Sequence, residues 1–571
     1  MKWPAREGGF RLAASRRPLR GRLHPSSRAG LAFGAHQARS SAEARFTRQT
    51  ENCYTTNQSQ ESTCQTKLRN ECCVGYWKAG IPSSLRSVEI TDETDVGYGA
   101  FYGCSRLTSV TIPGSAASIG ENAFYGCSKL TTLTITSSLS SIGKEAFRGC
   151  SGLKSMTIPS SVTSILDKTF YHCSGLTAVT IPSSVTSIGD NAFCGCSGLT
   201  AMTIPPSVTS IVDNAFYGCS GLTAVTIPPS VTSIGMSVFY RCSGLTMLSI
   251  PLNVTNIGDA AFMGCSGLTA VTIPSSVTSI GHNAFRDCSS LMSMTVPTNV
   301  VSIGEGAFSG CSSMTNMVLP FIGAKRGNTG SYDSLFGYIF GRLSASGTVA
   351  TRQDSTECYI PASLQSIKIT DETVIGRYAF SNCAGLTSVT LSESVTKIGI
   401  RAFGGCGALK SVTIPASVID VGEMAFLGCT NVVEFVVPAE NTCFSSRNGM
   451  LCSKDGTELM FGIKGEVVIP LGVVSIADSA SSGCSDLMSV ALPSSVMKIG
   501  DDAFYGCTGL TSLIIPSSVM SIGNNAFHGC DGLTSVAVPS CATIMSATFP
   551  SAYAKFSTSQ SGSSSEPPPL L

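Results

Sequence analysis

The chain is 571 residues long, with 37 basic and 36 acidic side chains and a formal net charge of +1. That balance gives no global field for nucleic acid or an anionic membrane, and 13% charged residues is well under the usual ~25%. No run of about 18 consecutive apolar residues occurs, which excludes a membrane-spanning helix.

Residues 1–46 hold ten Lys/Arg against Glu7 and Glu43, so this segment is +8 and the remainder −7. It has no apolar core of the secretory type. Its Arg-rich, Ser-containing, acid-poor composition fits an organelle transit peptide, a start placed too early, or a plain disordered tail. Residues 47–80 carry Cys53, Cys64, Cys72 and Cys73 and read as an N-terminal cap; these four are disulfide candidates if the chain is exported.

From residue 81 a 23-residue period dominates. Cys104, Cys127, Cys150, Cys173, Cys196, Cys219, Cys242, Cys265, Cys288 and Cys311 are each 23 apart. The spacing returns at Cys383, Cys406 and Cys429, and again at Cys484, Cys507 and Cys530. One clean unit places Leu176, Val179, Ile181, Pro182, Val185, Ile188, Gly189, Ala192, Phe193 and Cys196. Val179 and Ile181 face one side and Thr180 the other, which predicts a short strand. Pro182 ends it, since proline cannot donate to a ladder. Val185 and Ile188 bring the chain back inward, and Gly189 permits a turn. Asp190-Asn191-Ala192-Phe193 reads as a capped helical turn. No unit can bury its own apolar face, so units must stack.

The array divides in sequence. A first array spans 81–320, and an insert at 321–360 contains Phe336-Gly337-Tyr338-Ile339-Phe340-Gly341. A second array follows over 361–430, restarting with Ile360-Pro361 and Ile367-Lys368-Ile369-Thr370-Asp371-Glu372 as the first does at Ile81-Pro82. A hairpin-type insert at 431–470 turns on Asp455-Gly456. A third array runs over 471–550, and 551–571 is a Ser/Pro-rich tail read as disordered.

Residues 176–193, together with the two inserts, strongly resemble the BspA-like leucine-rich repeats over roughly 81–540. The resemblance implies an α/β repeat solenoid: a leucine-rich-repeat superhelix of 23-residue units, right-handed, with a parallel β-sheet on one face and short helical turns opposite. Many members of that family are surface antigens or adhesins. The implied function is therefore a non-catalytic, cell-surface or secreted adhesion or protein-binding scaffold. Its partner would be an extracellular-matrix, host or cell-surface protein, with no nucleic acid and no membrane span. The alternative is an intracellular or organellar scaffold, which the absence of a clear signal peptide favours.

The recurring cysteines read as a reduced, buried ladder of small hydrophobes. No Cys-x-x-Cys occurs, so no structural metal site is expected. His24, His36, His172, His282 and His528 are too scattered to share a reacting atom, and no nucleotide-binding or hydrolase motif appears. No cofactor and no catalytic residue are therefore expected. The acidic pairs Asp92-Glu93 and Asp371-Glu372 read as solvated turns.

The candidate partner-binding face is a row of equivalent strand positions: Thr111, Thr134, Thr157, Thr180, Thr203, Thr226, Thr272 and Thr295, with Ser249 interposed. The row should repeat every ~4.8 Å. The plain alternative is β propensity copied by duplication; contact with ordered water or ice is a third and weaker reading. Asn57-Gln58-Ser59 and Asn253-Val254-Thr255 match the N-glycosylation pattern.

Overall fold

The computed structural model describes residues 65–68, 85–90, 94–135, 139–329, 331–545 and 547–549. All belong to one compact unit, Gln65–Leu571. The readings of 1–46, Cys53, Cys64, Cys72, Cys73, Asp92-Glu93, Asn57 and the 551–571 tail lie outside the described residues.

The described chain is a solenoid of about twenty stacked coils. Each coil of the arrays adds one short strand to each of two parallel ladders. In the first ladder Ala178–Thr180 pairs with Ser155–Thr157, each residue facing its counterpart one period away. Val179 packs inward while Ala178 and Thr180 are exposed, as the alternation predicts. Pro182 then closes a turn by accepting the Val185 N–H at 3.1 Å. The second ladder is shorter. Ser187–Ile188 pairs with both Ser164–Ile165 and Ser210–Ile211, and Ile188 is fully buried.

The third side corrects the sequence reading, which expected helical turns. Among the described residues the helical segments are two 3₁₀ turns, Tyr332–Ser334 and Phe336–Ile339, both in the first insert. In the arrays the corresponding stretch is a stack of turns whose N–H groups alternate in direction. Ala192, Cys194 and Cys196 bond back within the coil, to Gly189, Asn191 and Phe193. Asn191, Phe193 and Gly195 bond instead to Asp213, Ala215 and Tyr217 of the next coil, at 3.1, 2.8 and 2.7 Å. The alternation requires left-handed backbone at Asn191 (φ 54°) and Gly195 (φ 73°), where a helix would keep every residue right-handed. The stretch is thus a third ladder, and it satisfies backbone groups that a single helical turn would leave open.

Gly189 is also used differently from expectation. It has no left-handed φ; a Cβ there would sit 2.8 Å from the Asp167 nitrogen and 2.9 Å from the Leu166 carbonyl carbon. Glycine lets successive coils approach backbone to backbone here, although the equivalent places one coil back and one coil on hold Leu166 and Val212.

The core lies between the three ladders. Phe101, Phe124, Phe147, Phe170, Phe193, Phe216, Phe239, Phe262, Phe285 and Phe308 form one stack, with ring centroids 5.3–5.8 Å apart. In the same core, the first insert supplies Phe336, which meets Phe340 at 5.2 Å and Phe380 at 5.1 Å. That insert also holds an antiparallel hairpin, Thr348–Gln353 with Thr356–Pro361. The first ladder passes the insert unbroken, from Asn316–Leu319 to Ser366–Ile369.

The acidic pair beside this insert corrects a second expectation. Asp371 is partly exposed and paired with Arg326. Glu372, read as solvated, is 2% exposed. Its carboxylate accepts N–H bonds from Gly327 and Thr373, both at 3.1 Å, and from Ile322 at 3.4 Å. Burial is tolerated because three backbone donors replace water. The second insert is a three-stranded meander, Phe444–Arg447, Met450–Ser453 and Glu458–Phe461, turning on Asp455-Gly456 between its last two strands.

Candidate functional site

The strand row is placed in register and outward. Thr111 faces Thr134, Thr157 faces Thr180, Thr203 faces Thr226, and Ser249 faces Thr272. All of these and Thr295 are exposed. Two residues before them on each strand lie Ser109, Thr132, Ser155, Ala178, Ala201, Ala224, Met247, Ala270 and Ser293. The two columns together contain no charged side chain over nine consecutive coils.

Threonine and serine at other positions of the unit are committed to the backbone, which sequence reasoning missed. Thr177, Thr223 and Thr269 donate to the carbonyls of Lys154, Thr200 and Thr246 at 2.9–3.2 Å. Thr186, Thr209 and Thr278 do the same on the second ladder. Ser184, Ser207 and Ser276, the second serine position after the Pro, donate to Val162, Val185 and Val254 at 2.6–2.7 Å. Among the described residues, the hydroxyls of Thr111, Thr134, Thr157, Thr180, Thr203, Thr226, Thr272 and Thr295 make no hydrogen bond within the chain. The only available signal was position: these eight alternate with buried residues on a strand, whereas the committed ones lie just before strands or in turns.

The surface chemistry changes along the solenoid. The equivalents of Thr180 are Lys368, Thr390 and Thr413 in the second array, and Val468, Ala491, Ile514 and Ala537 in the third, where Val468 and Ile514 are 63% and 75% exposed. Leu471 is exposed too, as are Val474, Met497 and Met520 just before the second-ladder strands, so the third array is more apolar outside than the first.

The ladder cysteines are free thiols. Cys173, Cys196 and Cys219 donate to the carbonyls of Phe147, Phe170 and Phe193 at 3.0–3.2 Å, one coil back. Burial pushes their thiols up, Cys173 to about 12, so they stay protonated and unreactive at neutral pH. Cysteine here is a core residue with one hydrogen bond.

The described histidines occupy separate coils. His282 Nδ1 accepts the Glu305 N–H at 3.0 Å, and His172 packs edge-on against Tyr171 at 4.4 Å. Among the described residues no cluster of three or more His, Cys, Asp or Glu could hold a metal, and no helix is long and apolar enough to cross a membrane. Asn253 of the glycosylation pattern uses its amide to bond the Pro229 carbonyl at 2.7 Å.

A family model described as BspA type leucine rich repeat region matches residues 82–200, 163–291, 239–321, 355–452 and 464–561. No curated protein matches the chain. A leucine-rich repeat protein from Bacteroides ovatus is similar at 22% identity and TM-score 0.41, over 81% of this chain and 92% of that one. A leucine rich cell surface protein from Faecalibacterium prausnitzii is 25% identical, TM-score 0.28, over 79% and 78%. The pneumococcal vaccine antigen PcpA is 17% identical, TM-score 0.28, over 69% and 76%.

Proposed function

The chain belongs to the BspA-type leucine-rich-repeat family, and from that premise we propose that it is a cell-surface or secreted adhesion scaffold that holds a protein partner on the threonine face of its first array. One observation carries the reading: eight equivalent threonine hydroxyls are exposed, in register and without a partner among the described residues, while other threonine and serine rows are hydrogen-bonded to backbone. A rigid sheet presents such groups at fixed spacing, so a partner strand or loop can meet many weak donors and acceptors at once. Rigidity reduces the ordering cost of association. The face is uncharged, so its contacts should depend little on salt. Members of this family share core residues, and partner choice rests on the outward positions.

The test uses the full chain and a panel of immobilised matrix and host-cell proteins. Replacing Thr157, Thr180, Thr203 and Thr226 by the isosteric, strand-favouring Val removes the hydroxyls and should abolish capture while leaving the unfolding midpoint nearly unchanged. Unchanged capture by the folded variant would overturn the assignment of this face. Protease accessibility on intact source cells checks the location: digestion without lysis supports the surface reading, and protection until lysis favours the intracellular scaffold.

A further inference from the structure

The coupling between coils fails at the second insert. Within the arrays, neighbouring coils are joined by strand pairing, the turn ladder, the phenylalanine stack and the thiol–carbonyl bonds; where one strand pair lapses, as between Ala178–Thr180 and Ala201–Thr203, the other links continue. Across this insert the direct strand pairing, the phenylalanine stack and the thiol–carbonyl bonds are missing together among the described residues; what remains is the Lys464 N–H on Val432 at 3.3 Å, its Nζ on Asn431 at 3.0 Å, and the backbone contact of Gly483 with Gly428. In the first ladder, Glu434–Val436 pairs back with Ser411–Thr413 and Gly465–Val468 pairs forward with Leu487–Ala491, but the two do not pair with each other. The meander's Asn448-Gly449 bend is wedged between them: Gly449 accepts the Phe435 N–H at 2.7 Å and Asn448 donates to the Val468 carbonyl at 3.3 Å. In the second ladder, Asp420–Val421 pairs only back, with Lys397–Ile398, and Ser475–Ile476 takes the meander strand Glu458–Phe461 as its neighbour.

The interior is divided as well. The aromatic stack from Phe380 and Phe403 reaches Phe426, and then meets Ser481 where the repeat requires phenylalanine. It resumes only at Phe504 and Phe527. Phe435 and Phe461 turn edge-on against Phe426 and fill most of the gap. A cavity of about 10 Å³ remains, lined by Phe426, Phe435, Phe461, Ala480, Ser482 and Cys484. Two hydrophobic cores result, one running from Leu85 to Phe461 and the other from Met450 to Leu533, with the half-buried Ile463 touching both. The strand Met450–Ser453 forms a wall between them: Leu451 faces the first core, Met450 and Cys452 the second. At the first insert the second ladder also stops, Ser302–Ile303 pairing only back and Val374–Ile375 only forward, but the first ladder and the core both run through.

In a solenoid, cooperativity passes only through nearest-neighbour interfaces. Where one interface loses its ladders and its shared core, opening on one side need not spread to the other. We propose that the meander is an uncoupling seam: the coils from residue 464 onward open and unfold as a separate cooperative unit while the coils before residue 437 stay folded. The apolar face around Val468 and Ile514 therefore rests on the unit that can open independently of the threonine face.

The test is hydrogen exchange of the full chain, read by mass spectrometry, in the parent and in two equivalent lesions. Phe504→Ala should speed amide exchange across residues 465–530 on the order of 10²- to 10³-fold. It should leave 411–436, immediately across the seam, within about twofold of the parent. Phe193→Ala should spread in both directions, into the neighbouring coils of Ser155–Thr157 and Ala201–Thr203. If Phe504→Ala unfolds the third array altogether, continued protection of 411–436 still supports the seam. Acceleration of 411–436 by Phe504→Ala, matching the spread of Phe193→Ala into its neighbours, would overturn it.

Discussion

Phe193 and Phe216 lie one coil apart with their rings parallel to within 1° and their centroids 5.4 Å apart. Both are fully buried, and the same contact recurs through ten coils of the first array. Replacing Phe193 by Ala should open a cavity on both sides of its coil and cost about 3–5 kcal/mol. Thr180→Ala, on the outer face, should stay within about 0.5 kcal/mol. Denaturant unfolding of the two variants checks the inside/outside assignment; comparable large losses in both would refute it.

Ser184 tests the hidden polar ladder. Its hydroxyl donates to Val162 at 2.6 Å from a half-buried position. Ser184→Ala should cost about 1 kcal/mol, because a carbonyl loses its partner. Ser183, one residue earlier, makes no such bond among the described residues, and Ser183→Ala should be nearly neutral. A shift of the unfolding midpoint in the first variant and none in the second is the expected pattern.

Ala260 sits at φ 52°, in the left-handed position that Asn122, Asn191, Asn214 and Asn283 occupy in other coils. Asparagine tolerates that region better than alanine. Ala260→Asn should raise stability by about 1 kcal/mol, with a rise in midpoint temperature, and Asn191→Ala should lower it by a similar amount. A destabilised Ala260→Asn protein would show that the local fit, and not the dihedral angle, governs this position.

Asn441 replaces the core valine of its coil and is fully buried. Its amide donates to Pro415 and Val418, and its oxygen accepts from the N–H groups of Cys443 and Phe444, at 2.7–3.0 Å. Asn441→Val restores the repeat sequence yet strips all four partners. It should cost on the order of 3 kcal/mol or more, because buried backbone groups are left unpaired. A stability gain, read by denaturant titration, would show that valine packing outweighs the network.

The thiols give a chemical test. Burial raises the pKa of Cys104 through Cys311, and an alkylating agent attacks the thiolate. At pH 8 without denaturant, exposed Cys541 should be labelled quickly, while Cys127 to Cys311 should react only after unfolding. Peptide mapping reads this directly, and rapid labelling of Cys196 in the folded chain would contradict the buried ladder.

Much of the molecule is set by local pattern. The 23-residue period, the in-out alternation at Val179 and Thr180, the proline stop and the outward threonine row are all legible in the sequence, because each depends on spacing along one strand. The direction of an N–H group does not. Whether Asn191 bonds within its coil or to the next depends on a neighbour 22 residues away, so a stretch that reads as a helical turn becomes a ladder. The same holds for Ser184, whose partner is in the preceding coil, and for Glu372, whose burial depends on a loop some 45 residues earlier. Ser481 is the sharpest case. As a letter it is one missing phenylalanine; only the stacked structure shows that two strand ladders, an aromatic stack and a core all stop beside it. Sequence determines what each coil buries, because burial follows the chain's own periodicity. Tertiary structure decides how strongly one coil is held to the next, because those contacts join residues that the sequence keeps a full period apart.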